Sequence, residues 1–165
     1  MDRFIVCLVL ASTIVSGLVV PREYASAQTK SDLVGTWGLV AVTVEQGGQK
    51  RDVQGPNPKG LLVLDSGGHF AVLTFRADQQ KVASNNRLEA TAEESKTLLS
   101  GTLAHYGTYS VADNVLVFHI ERSTFPNWDG IEQRRPFTLK GDELTYTTPG
   151  STGAGATQII WRRAG

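Results

Sequence analysis

The sequence predicts an all-β fold, an eight-stranded antiparallel up-and-down barrel with one short helix, behind a leader that export removes. Three observations carry this. Short runs rich in Val, Ile, Thr, Tyr and Phe recur between Gly, Asp and Asn turn signals, as expected of antiparallel β structure. Eight such runs, joined mostly by hairpins, match the number at which a sheet closes around side chains or one small ligand. One segment alone carries a helix signal.

Taken in order, the strands are read at residues 36–45, 59–65, 69–76, 104–111, 115–121, 131–139, 143–148 and 157–163. Gly47-Gly48, Ser66-Gly67-Gly68, Ala112-Asp113-Asn114 and Gly141-Asp142 supply reversals between them. Thr91-Ala92-Glu93-Glu94 reads as a capping box, so a helix is expected over residues 92–100, stopping near Gly101. A polar loop, residues 77–90, precedes it, and residues 148–156 form a Gly/Ser/Thr linker between the last two strands.

Residues 4–20 form an apolar run interrupted by Ser12, Thr13, Ser16 and Gly17 and preceded by Arg3. A membrane span wants about 20 apolar residues, so the run suits a secretory leader better. Ala25-Ser26-Ala27 puts small residues where signal peptidase reads, and cleavage is expected before Gln28. The chain thus divides into a signal peptide, residues 1–27, and a barrel domain, residues 28–165, in a secreted or bacterial periplasmic location. The alternative is an uncleaved amino-terminal anchor, since Asp2 dilutes the positive charge; that leader is the one membrane contact expected. Cys7, the only cysteine, leaves with the leader, so the domain must be held by its core without a disulfide.

The 165 residues carry 16 Lys+Arg against 16 Asp+Glu, a formal net charge of zero. The leader holds two charges of each sign, Arg3 and Arg22 against Asp2 and Glu23, so the mature domain is neutral too. Neutrality argues against a nucleic-acid partner, which needs a surplus of cations to displace counterions from phosphate. It leaves room for a local charge.

Side chains alternate faces along a strand, so parity asks which polar residues share a face with the core. Over residues 131–139 the apolar face holds Ile131, Gln133, Arg135, Phe137 and Leu139. An inward Arg135 without an anionic or hydrogen-bonding partner costs several kcal/mol, on the order of the penalty for any buried ion, so a carboxylate or an acidic or carbonyl-bearing ligand is expected beside it. In the preceding strand parity leaves two readings: Val115, Val117, His119 and Glu121 share one face and Leu116, Phe118 and Ile120 the other, and with the second face inward His119 is a surface histidine. A register that sets Glu121 against Ile131 brings His119 to Gln133 and gathers Arg135, Gln133, His119 and Glu121 into one polar cluster. That cluster is equally readable as a stabilising ion pair or as a ligand site. Tyr109, on the face of His105 and Val111, and Asn127 and Trp128, in the loop between these two strands, complete the ligand-contact candidates.

Read together, these segments resemble the lipocalin-like domain family of small bacterial and fungal proteins, over nearly the whole mature region. Leu33-Val34-Gly35-Thr36-Trp37 is similar to the Gly-x-Trp start of such a barrel, and Asn57-Pro58-Lys59-Gly60 to the family's second strand. His119-Ile120-Glu121, Phe125-Pro126-Asn127-Trp128-Asp129-Gly130, Gln133-Arg134-Arg135 and Trp161-Arg162-Arg163 follow in family order. The resemblance implies that Trp37 plugs one barrel end beneath Arg162 or Arg163, which makes these three residues structural. It also implies small, mostly apolar ligands and no established reaction. His105 stands where the family usually has an aromatic residue, and so receives no role from it.

His69, His105 and His119 fall on three strands with no close-spaced pair, so no metal site is expected. Gly153-Ala154-Gly155 follows no strand-to-helix turn and cradles no phosphate, and no Gly-x-Ser-x-Gly elbow exists. No cofactor is expected. Three functions remain open: a binder of a small hydrophobic or amphipathic molecule, an isomerase, cyclase or small hydrolase using His119, Glu121 and Arg135, and a structural barrel filled by its own side chains.

Overall fold

The computed structural model describes residues 28–46, 49–148 and 155–165. The expected leader, the Gly47-Gly48 turn and most of the 148–156 linker lie outside the described residues. The elements are α1 (Lys30–Leu33), β1 (Gly35–Gln46), β2 (Gln49–Asp52), β3 (Lys59–Leu64), β4 (His69–Phe75), α2 (Ala92–Gly101), β5 (Thr102–Ala112), β6 (Val115–Ser123), β7 (Glu132–Lys140), β8 (Glu143–Thr148) and β9 (Thr157–Arg163). Single 3-10 turns cover Arg87–Glu89 and Pro126–Trp128.

Each strand from β3 to β9 pairs antiparallel with its chain neighbour, and β1 pairs with both β3 and β9. The sheet therefore closes into an eight-stranded barrel, with β2 as an additional strand. β1 serves two neighbours along one edge, β3 through residues 35–38 and β2 through residues 43–46. Its other edge runs along β9 from Trp37–Arg163 to Val44–Thr157, with a bulge between Leu39 and Ala41. β2 was not among the expected strands. Its four residues, Gln-Lys-Arg-Asp, are all exposed, so no alternation of apolar and polar residues betrays it.

Alternation sets the inside elsewhere. β4 buries Phe70, Val72 and Thr74, β6 buries Leu116, Phe118 and Ile120, and β8 buries Leu144 and Tyr146. Each fully buried large apolar side chain contributes about 1.5–3 kcal/mol. α2 starts as a capping box: Thr91 Oγ1 accepts from the Glu94 N–H at 3.2 Å and the Thr91 N–H donates to Glu94 Oε2 at 2.8 Å.

One end of the barrel is plugged. α1 delivers Leu33, fully buried, and its carbonyl accepts the Trp37 indole N–H at 3.0 Å. Arg163 lies 4.1 Å over the Trp37 ring and donates to the Val34 and Asp32 carbonyls at 3.0 and 2.7 Å. Arg162 instead points outward, 3.9 Å from Glu143. At the same end the Gln28 side-chain amide clasps Leu139, donating to its carbonyl at 2.6 Å and accepting its N–H at 3.0 Å.

The β5–β6 ladder slips between Tyr106–Arg122 and Gly107–Ile120, which leaves Glu121 as an extra residue on β6. Gly107 lies at this step with no side chain, and a Cβ there would collide with the His119 backbone carbonyl oxygen. Backbone on both sides cannot yield cheaply, so Gly107→Ala is expected to lower stability by about 2 kcal/mol or more. Urea denaturation of the two proteins measures the difference, and an unchanged midpoint would remove this constraint.

Candidate functional site

The end opposite the plug holds a cavity of about 300 Å³. Its walls are the inner faces of β1, β4, β5, β7, β8 and β9, and Val53, Leu99, Phe125 and Trp128 stand around it from the flanking segments. Arg135 lies in this wall.

β7 places Gln133, Arg135, Phe137 and Leu139 on its inner face, as parity requires. Arg135 is 1% exposed. Its Nη1 donates to Tyr146 Oη at 3.2 Å, its Nη2 donates to Gln133 Oε1, and the guanidinium sits 4.8 and 5.1 Å from the Phe118 and Tyr146 ring centroids. Nε has no partner, and among the described residues no carboxylate is paired with this cation. Burial draws the Arg135 pKa down from its ordinary value, against the opposing pull of Tyr146, and burial likewise raises the Tyr146 phenol.

The expected cluster with His119 and Glu121 does not assemble. The ladder sets Leu116 against Arg135, Phe118 against Gln133 and His119 against Glu132, one residue away from the register read in the sequence. His119 and Glu121 therefore stand exposed on the outer face. The reason is burial: this register puts Leu116, Phe118 and Ile120 inside, whereas the other would bury an imidazole and a carboxylate in place of an aromatic ring and an isoleucine. The general acid–base trio of His119, Glu121 and Arg135 is not formed.

The other candidates divide. Trp128 lines the cavity and packs edge-on against His105, ring centroids 5.6 Å apart. Asn127 is exposed and borders a shallow outer groove with Ile131 and Glu132 instead. Tyr109 faces the plugged end, where its hydroxyl donates to the Asp65 carbonyl at 2.8 Å, Lys30 lies 5.2 Å over the ring, and burial pushes the phenol pKa up to about 12. Gln133 acts from behind the cavity by holding Arg135.

His105 is the residue that sequence reasoning passed over. It is 3% exposed, lines the cavity, packs edge-on against Phe70 at 5.6 Å, and among the described residues neither ring nitrogen has a partner. Burial, reinforced by the Arg135 charge, pushes its pKa down to about 3, so the imidazole is neutral. Its parity with Tyr109 was the available signal.

The sequence profile described as Lipocalin-like domain matches residues 34–164. The chain belongs to the lipocalin-like domain family. Among solved structures, a redesigned β-barrel is similar at 14% identity, covering 85% of this chain and 98% of that one, with a TM-score of 0.47. An uncharacterized protein from Bacteroides eggerthii follows at 16% identity, 79% and 98% coverage and a TM-score of 0.43. The fluorescent protein UnaG is similar at 14% identity, 81% and 98% coverage and a TM-score of 0.38. A search of curated proteins finds no match.

Within this lipocalin-like barrel the neutral His105 sets a pH response. Its folded pKa lies below its unfolded value of 6.5, so below that pH the unfolded chain binds the extra proton and stability falls as pH falls. Between pH 6.5 and pH 4.5 the loss is expected to total about 2 kcal/mol, approaching about 1.4 kcal/mol per pH unit. Denaturant unfolding of wild type and His105→Phe at the two pH values checks this; equal losses in both would show that His105 is not the group responsible.

Proposed function

We propose that this lipocalin-like protein binds, in the open half of its barrel, a small and mostly apolar molecule bearing a carboxylate or carbonyl group. The observation that carries this reading is the Arg135 guanidinium, wholly buried, with no carboxylate beside it among the described residues, in the wall of an apolar cavity. Two neutral hydrogen bonds and two ring faces offset part of its desolvation and leave Nε unused. A ligand carboxylate would meet the cation where little water screens it, and there each hydrogen bond to a charged group is worth about 1.5–3 kcal/mol. The volume lies at the small end of ligand sites. A barrel filled throughout by its own side chains is not supported by a cavity of about 300 Å³.

The same reading places the protein outside the cytoplasm, with Gln28 as the first residue after removal of the leader. Its support is the leader pattern together with the Gln28 amide, which already holds Leu139. The intact mass of protein recovered from the periplasm or medium of an expressing bacterium is expected to fit a chain starting at Gln28; a full-length mass would overturn the export reading.

Arg135→Met tests the site. If the guanidinium is there for a ligand, its replacement by an apolar chain of similar length keeps the barrel folded, with stability changed by no more than about 2 kcal/mol, because lost hydrogen bonds and relieved desolvation nearly offset. Affinity for decanoic or naphthoic acid, read by calorimetry, is expected to fall at least about tenfold. Undiminished affinity in a folded variant would remove Arg135 from the site.

A further inference from the structure

Among the described residues six buried side-chain atoms lack a hydrogen-bond partner, and five of them belong to residues lining the same cavity. They are Arg135 Nε, both ring nitrogens of His105, Thr148 Oγ1 and Gln54 Oε1; the sixth is the Trp161 indole nitrogen. Unpartnered buried groups are ordinarily rare and scattered. Here the residues that carry five of them wall one space.

Their chemistry is mixed. Arg135 Nε is a donor only, Gln54 Oε1 an acceptor only, and a threonine hydroxyl is both. The His105 imidazole, neutral through burial, offers one donor and one acceptor. A carboxylate has no hydrogen to give. It can take hydrogen bonds from Arg135, from the imidazole N–H and from Thr148, but it leaves the second imidazole nitrogen and the Gln54 oxygen with nothing to accept. Each buried acceptor left so costs about 1–3 kcal/mol.

The two acceptors also lie on different walls. His105 belongs to β5, between the rings of Phe70 and Trp128. Gln54 follows β2, where its backbone is fixed by the Ala77 N–H donating to its carbonyl at 3.1 Å and by its own N–H donating to Asp52 Oδ1 at 3.1 Å. Thr148 lies two residues beyond Tyr146 on the inner face of β8.

We infer that the molecule taken by this cavity carries, besides its carboxylate or carbonyl, at least one O–H or N–H donor. The ligand class is a hydroxylated or phenolic acid or ketone rather than a plain fatty acid. This rests on the binding reading above and narrows it. His105 and Gln54 are the specificity-determining residues, because they reward a donor that Arg135 does not need.

Matched pairs provide the test: naphthoic acid against hydroxynaphthoic acids with the hydroxyl beside or far from the carboxylate, and decanoic against hydroxydecanoic acid. Calorimetry on the wild-type mature domain is expected to favour at least one hydroxylated member over its plain counterpart about tenfold or more. In His105→Phe or Gln54→Met that ratio is expected to drop toward one, while each variant's far-ultraviolet circular dichroism confirms that it is folded. Equal binding of plain and hydroxylated acids by wild type, or a ratio unmoved in both variants, would overturn the inference and leave the Arg135 reading standing. If no acid of either kind binds, the binding reading itself falls and takes this one with it.

Discussion

Arg163 is the residue on which the arrangement of the barrel turns. It ends the last strand, covers the indole of the first, and donates to two carbonyls of the segment leading into that first strand. One side chain thus joins the closing ladder, the plug and the short helix that supplies Leu33. Because this end is sealed by fully buried Leu33 and Trp37, the space left in the barrel lies at the other end. The position of the cavity follows from the position of the plug, and so does the placement of Arg135, which reaches the cavity from the middle of β7.

The barrel interior is accordingly two environments in one sheet. Toward the plug, inward positions are apolar or, the Trp161 indole apart, have their polar atoms tied, as the Tyr109 hydroxyl and the Trp37 indole are. Toward the mouth, His105, Arg135, Thr148 and Gln54 keep polar atoms untied. The contrast is a matter of energetics as well as geometry, since untied buried groups work against stability wherever they occur. A domain without a disulfide among its described residues can carry them only because the sealed half is packed with large apolar side chains.

Much of this was legible in the sequence, for a physical reason: period-two alternation and turn chemistry act locally. The eight barrel strands, the capping box at Thr91 and the inward direction of Arg135 all follow from residues within a few positions of one another. What was not legible depends on pairing between strands. The register of β6 against β7 is set by which face buries more apolar surface, and the extra residue at Glu121 shifts the phase of β6. A one-residue difference there decides between an inward and an outward His119, and the sequence left both open. His105 was passed over because resemblance gave it no role, although its face was readable. β2, polar on every side, had no local signal at all.

The order of the strands around the barrel has a consequence in time. Every pairing but those of β1 with β3 and β9 joins strands that follow one another along the chain, β4 and β5 across α2 and the others more directly, so most of the sheet can be built from hairpins whose loops cost little to close. Joining Trp37 to Arg163 is different, since the whole sheet lies between them in the chain. No hairpin can make that contact by itself, and non-local pairings of this kind are what slow the folding of β proteins. The ring, and with it a lumen walled on every side, therefore hangs on the pairing that closes the longest loop in the sheet.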